Sequence, residues 1–150
     1  MPSTGRQRYV IRATWGAATT VPASYTLHQL DAQGRTIASN DRAVDVIDMS
    51  DAGMMRVKLP AGIAAGALTL KFLDAAAANA DSDADVLDFG YAQDVDGADI
   101  AVTGIQDSLG KSRRIHADLD SCFYVIPVFV DTNGDPIAPG AVTVEFLIKE

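Results

Sequence analysis

The chain has 150 residues, of which 48% are hydrophobic and 21% are charged, and its formal net charge is -8. This length is typical of one domain, and the composition excludes a disordered or collagen-like chain. Because the net charge repels phosphate, we expect no nucleic-acid partner. Two short basic clusters are too small to alter that expectation. They are Arg6, Arg8 and Arg12, followed by Lys111, Arg113 and Arg114.

The N-terminus and the single cysteine predict where the chain folds. Residues 3–7 are polar where a signal peptide needs an apolar core, and Cys122 alone cannot form an internal disulfide. We therefore expect synthesis in a reducing cytoplasm, with residues 1–7 as an arm before the first strand. The longest apolar run, residues 123–130, is far shorter than the roughly twenty residues of a membrane helix, so we expect no membrane partner.

Apolar and polar side chains alternate along most of the chain, which is the pattern of half-buried strands. Residues 9–15 carry the first strand, with Ile11, Ala13 and Trp15 on its inner face. Residues 25–30 predict a second strand. A turn at residues 31–34 then lets residues 35–39 return as a hairpin partner.

Four later segments continue the pattern. Residues 54–59, 68–72 and 142–149 alternate clearly, and residues 123–130 are apolar on both faces. Residues 123–130 therefore predict a central strand, in which Pro127 marks a bulge or a locally unpaired edge. In the turn at residues 131–135, the Asn-Gly pair is expected to supply positive φ angles.

Weaker strands bring the expected number to about eight to eleven. They are predicted at residues 43–48, 86–91, 98–103 and 114–119. Residues 75–80 and 105–109 predict at most one or two short helical turns, and residues 75–85 an exposed loop. The fold class is therefore all-β: one antiparallel β-sandwich domain over residues 1–150, either jelly-roll or immunoglobulin-like.

Residues suited to catalysis are scarce in this sequence. The only histidines are His28 and His116, and although Ser108 and Asp118 or Asp120 are near His116, no nucleophile-elbow pattern surrounds a serine. A solvated polar turn explains this segment better. Cys122 adjoins the most apolar strand, where a small buried side chain is expected. We predict no catalytic residue and no enzyme activity.

An acidic stretch at residues 81–99 is the best candidate for a metal site. Four aspartates resemble the start of a calcium loop: Asp81, Asp83, Asp85 and Asp88. However, Val86 and Ala92 occupy the positions of the glycine and the bidentate acid of that loop. A solvated acidic loop is therefore favoured, with calcium binding left open. No CxxC, HExxH or GxxxxGK motif is present, so we predict no metal and no cofactor.

Two segments resemble the small virion proteins of tailed bacteriophages, especially head decoration (cement) proteins. They are MRVKLPAGIAAGALTLKFLD at residues 55–74 and VDTNGDPIAPGAVTVEFLI at residues 130–148. The resemblance implies a homo-oligomeric sandwich on the capsid exterior, where it binds the major capsid protein, bridges capsid subunits and stabilises the shell. The acidic charge agrees with an outward position, away from packaged DNA.

The alternative is a carbohydrate- or receptor-binding β-sandwich module of the tail-fibre type. Trp15, Tyr25, Tyr91 and Tyr124 could supply aromatic rings for a sugar, although core packing within strands also explains them. A cupin-like enzyme would need a cluster of metal-binding histidines, and the two histidines here stand apart in the sequence.

Overall fold

The computed structural model describes residues 8–31, 33–40, 47–48, 54–59, 68–75, 90–94, 96–105, 112–115 and 124–149. This part of the chain forms ten strands, within the number expected from the sequence. They are β1 (Arg8–Thr14), β2 (Ser24–Leu30), β3 (Thr36–Asn40), β4 (Ile47–Asp48), β5 (Met54–Lys58), β6 (Thr69–Ala75), β7 (Ala101–Val102), β8 (Ser112–Ile115), β9 (Tyr124–Val130) and β10 (Thr143–Lys149).

The strands form two sheets. One has six strands in the order β3-β2-β1-β10-β5-β8, and the other has four in the order β4-β9-β6-β7. Neighbouring strands are antiparallel throughout. The predicted hairpin of β2 and β3 is confirmed, with a register shift between Gln29 and Leu30. Most connections after β3 cross from one sheet to the other, which stacks the two sheets.

The core lies between the sheets and follows the predicted alternation. In β5, Met55 and Val57 are buried while Arg56 and Lys58 are exposed. Side chains of both sheets belong to one hydrophobic cluster, with Phe146 of β10 and Phe72 of β6 among its largest members. The antiparallel all-β sandwich predicted from the sequence is therefore confirmed. The choice between a jelly roll and an immunoglobulin-like arrangement stays a prediction.

β9 is buried on both faces, as its continuous apolar sequence predicted. It pairs with β6 over seven residues without a register shift, so a bulge at Pro127 was the wrong alternative. The carbonyl of Phe72, opposite Pro127, accepts from Ala92 on the far side of β6. By antiparallel geometry the nitrogen of Pro127 then points away from β6. On that side, β4 pairs only with Tyr124 and Val125 among the described residues. Pro127, which has no backbone N–H, therefore interrupts none of the strand pairing described there.

Some sequence predictions changed or fall outside the described residues. The helical turn predicted at residues 75–80 is wrong at Ala75, because Ala75 is the last residue of strand β6. The strand predicted at residues 98–103 is reduced to β7 and a bridge between Gln93 and Asp99. The N-terminal arm at residues 1–7 and nearly all of the loop at residues 75–85 lie outside the described ranges. Within those ranges, no helix is long and apolar enough to cross a membrane.

Candidate functional site

Among the described residues, three turns share one sequence pattern, Asp-x-x-Gly-x, and one hydrogen-bond geometry. They are residues 31–35, 94–98 and 131–135. In the last, Asp131 Oδ1 accepts from the backbone N–H of Asn133 at 2.8 Å and of Asp135 at 3.0 Å. The backbone N–H of Gly134 donates to the carbonyl of Asp131 at 3.0 Å. Asp31 and Asp94 accept the equivalent bonds in their own turns.

The glycine of each turn takes the left-handed conformation. Gly134 has φ 83°, whereas no non-glycine residue has positive φ in the described part of the chain. The expectation that Asn133 shares the positive φ is therefore wrong. The loop is a turn followed by one left-handed residue, a common three-residue hairpin connection that needs glycine only at its end. These aspartates thus use a carboxylate oxygen to hold their own turns, which also explains part of the acidic stretch that suggested calcium.

The outer face of the four-stranded sheet carries a small polar cluster around Tyr91. The ammonium of Lys71 lies 4.5 Å from the centroid of the Tyr91 ring and 3.2 Å from Asp99 Oδ2. The Tyr91 hydroxyl donates to the carbonyl of Gly134 at 3.3 Å. Gln93 Nε2 donates to Asp99 Oδ1 at 3.4 Å. The cluster joins the hairpin around residues 94–98 to β6 and to the turn at residues 131–135.

Beside this cluster, the same face buries a second set of apolar side chains. Ile126, Val128 and Val130 of β9 are buried there, and Tyr91 and Tyr124 pack against them. The four-stranded sheet is therefore apolar on both faces along β9.

The outer face of the six-stranded sheet is different, because basic residues dominate it. Strand register aligns Arg8 of β1 with Lys149 of β10, and Arg56 of β5 with Arg114 of β8. We call this surface the basic face. By register its charged residues are Arg8, Arg12, Arg56, Lys58, Arg114, Lys149 and Glu145.

Glu145 is the one acid of the basic face among the described strands. It lies opposite Arg12 on one side and opposite Lys58 on the other. Arg12 Nε donates to Glu145 Oε1 at 3.2 Å, with both side chains about two-fifths exposed, at 41% and 38%. A hydroxyl pair, Thr14 and Thr143, follows in the next row at 2.9 Å. In the middle of the face, half-buried Val10 and Leu147 lie opposite each other.

Comparisons of this chain with protein-family models, with curated proteins and with solved structures find no match.

Most of the residues considered for chemistry in the sequence lie outside the described part of the chain. His28 lies on the basic face, opposite Val10 in register and half-buried. The other members of the hydrolase hypothesis lie outside the described residues; they are Ser108, His116, Asp118 and Asp120. Cys122 and the aspartates from 81 to 88 lie outside the described residues as well. Within the described ranges, no group of three or more His, Cys, Asp or Glu residues could hold a metal ion.

The aromatic residues considered for sugar binding divide into two pairs. Trp15 and Tyr25 are buried in the core between the sheets, which confirms core packing for both. Tyr91 and Tyr124 are half-buried on the outer face of the four-stranded sheet. The ring of Tyr91 already contacts the Lys71 ammonium. The described strands therefore place basic residues on one outer face, and five of the described acids lie in the three turns: Asp31, Asp94, Asp96, Asp131 and Asp135. Such an arrangement is suited to contact between surfaces.

Proposed function

We propose that this chain is a non-enzymatic virion structural protein that binds the outer surface of a phage capsid and stabilises it by bridging capsid subunits. The proposal extends the sequence resemblance to head decoration proteins. Its partner is the major capsid protein, and it acts as a homo-oligomer on the capsid exterior.

The observation that supports this proposal is the arrangement of strands and faces in the six-stranded sheet. Its central strands, β1 and β10, pair with each other over seven residues, and each has a second neighbour on its other side. One face of these strands is packed into the core, and the other carries polar side chains at fixed spacing around the half-buried pair Val10 and Leu147. Binding through such a preorganised surface requires little loss of conformational freedom, so more of the contact energy appears as affinity.

Stabilisation of a shell then follows from repetition. Each copy makes a modest contact with the capsid, and the icosahedral symmetry repeats that contact around the shell. A homo-oligomer that touches two subunits at once binds more tightly than one contact allows, because the second contact is made at high effective concentration. The bridge resists separation of the subunits. The net charge of -8 keeps the protein from competing for packaged DNA.

Assembled capsids from the virus whose genome carries this gene provide the test. Purified protein is mixed with empty shells and sedimented, and the temperature of shell disassembly is followed by light scattering. We expect saturable co-sedimentation at a fixed number of copies per shell and a higher disassembly temperature, because a ligand of the assembled state stabilises that state. Absence of co-sedimentation, together with saturable binding on a glycan array, would instead establish the sugar-binding module.

A further inference from the structure

We propose that the basic face of the six-stranded sheet is the docking surface and that its partner is an acidic protein surface. The inference rests on the proposed function, because it names the side of this chain that meets the capsid and the chemistry of the capsid surface that receives it. The charged residues of this face come from four strands, β1, β10, β5 and β8, and the strand register brings them together.

The first argument is the segregation of charge. The chain contains twelve Lys and Arg residues, and half of them lie on the basic face by register. Among the described strands, six cations and Glu145 sum to +5 on this face. The whole chain sums to -8, so all its other residues together sum to -13. A localised field of one sign on a protein of the opposite net charge orients a partner during encounter. The complementary partner is acidic.

The second argument is that the register brings like charges together. Arg56 lies directly opposite Arg114, and like charges opposite each other in a sheet destabilise it. Among the described strands, the one acid near this row is Glu145, which lies in the neighbouring row between Arg12 and Lys58. Carboxylates of a docked partner would offset repulsion in the Arg56 row. The row is therefore complementary to an acidic partner.

The third argument distinguishes protein from nucleic acid. Val10 and Leu147 are half-buried and adjacent in the middle of the face, with Arg56 next in the same row. An apolar centre surrounded by charged residues is the usual anatomy of a protein interface. A phosphate backbone offers no apolar group to such a centre. A long polyanion would also extend beyond the face and meet the acidic remainder of the chain.

The size of the face predicts a weak single contact. Six strands span five spacings of about 4.8 Å, and seven residues at about 3.4 Å span about 24 Å, so the projected area is roughly 500–600 Å². This is smaller than the roughly 800 Å² that each partner contributes to a standard stable interface. Charge and repetition must therefore contribute much of the affinity, and we expect binding to weaken steeply as salt screens the charges.

Two matched charge reversals test the face. Arg56→Glu changes an exposed residue of the basic face, and Arg35→Glu makes the same change at a side chain that is 75% exposed in the turn at residues 31–35. Circular dichroism and thermal unfolding first establish that both variants fold. Binding is then measured to empty capsids, to immobilised poly-L-glutamate and to a 20-base-pair DNA duplex, each at low and at high salt.

We expect Arg56→Glu to weaken capsid binding by about tenfold or more and Arg35→Glu by less than about twofold. Poly-L-glutamate should follow the same order, and DNA should bind far more weakly. If the wild type binds capsids and Arg56→Glu binds equally well, the basic face is not the docking surface, although the proposed function stands. If poly-L-glutamate binds through Arg56 but capsids do not bind, the proposed function fails and the acidic partner lies elsewhere. Tight DNA binding that Arg56→Glu abolishes would overturn the assignment of a protein partner.

Discussion

The indole of Trp15 and the ring of Phe129 meet edge to face between the two sheets, with centroids 5.1 Å apart and an interplanar angle of 63°. Trp15 directly follows β1 of the six-stranded sheet, and Phe129 belongs to β9 of the four-stranded sheet. A second edge-to-face pair, Phe72 and Phe146, joins β6 to β10 at 6.0 Å. Edge-to-face pairs add about 0.5–1.5 kcal/mol beyond the area they bury. These two contacts therefore join the six-stranded sheet to the four-stranded sheet across the core.

Truncation of Phe129 should destabilise the sandwich strongly. Because Phe129 is fully buried, we expect Phe129→Ala to lower the free energy of unfolding by about 3–5 kcal/mol through lost burial and the cavity left behind. Urea denaturation followed by tryptophan fluorescence measures this change. Ile37→Ala is the control, because Ile37 is 58% exposed and a surface change should cost about 0.5 kcal/mol or less. Equal losses in the two variants would contradict the assignment of Phe129 to the core.

The strands themselves could be predicted from the sequence. Alternation identified the inner face of β5 as Met55 and Val57 because a strand has a side-chain period of two. The continuous apolar run at residues 123–130 predicted that β9 is buried on both faces. The boundaries of β7 could not be predicted, because its two residues pair with β6 directly after a short hairpin at residues 93–99. The conformation of Asn133 was missed because the Asn-Gly pair also occurs in turns where glycine alone has positive φ.

The basic face could not be recognised from the sequence. Its cations are distributed over β1, β5, β8 and β10, in segments up to about 140 residues apart in the chain. Only strand order and register align Arg8 with Lys149 and Arg56 with Arg114, and neither is encoded in local alternation. In the sequence only two short basic clusters are visible, and each is too small to indicate a charged surface. The charge pattern of a sheet face emerges only when non-local strands pair.

The glycine of the turn at residues 131–135 should tolerate asparagine better than alanine. A Cβ at Gly134 would meet nothing within 4 Å, so the cost of a side chain comes from the φ angle alone. We expect Gly134→Ala to lower the free energy of unfolding by about 1–2 kcal/mol, because L-residues disfavour the left-handed region. Gly134→Asn should lose clearly less, since asparagine visits that region more readily. Chemical denaturation of both variants measures the difference, and equal losses would contradict a purely conformational cost.

The carboxyl group of Asp31 should make stability depend on pH under acidic conditions. The backbone N–H of Arg35 is the main cause that lowers the pKa of Asp31 below 3.8, and further bonds from Gln33 and from the Arg35 side chain add to it. A lowered folded pKa stabilises the protein above the unfolded pKa, and this contribution is lost as the pH falls through the folded value. Carboxyl ¹³C NMR titration should place the Asp31 midpoint below 3.8.

The matched variant for this titration is Arg35→Gln. It removes the side-chain bond to Asp31 but keeps the backbone N–H that is the largest cause of the shift. We therefore expect the midpoint of Asp31 to rise only part of the way in this variant. A return to the ordinary value would show that the guanidinium, and not the turn, holds the carboxylate ionised.

The ion pair between Lys71 and Asp99 should contribute more than the one between Arg12 and Glu145. The side chains of the first pair are 23% and 34% exposed, against 41% and 38% for the second. Less contact with water means less screening, so a double-mutant cycle of Lys71→Met and Asp99→Asn should give a coupling of about 0.5–1 kcal/mol. The cycle of Arg12→Met and Glu145→Gln should give less. Both couplings should shrink in 1 M salt, where the screening length is about 3 Å, and a larger coupling for Arg12 and Glu145 would show that exposure does not control the strength of these pairs.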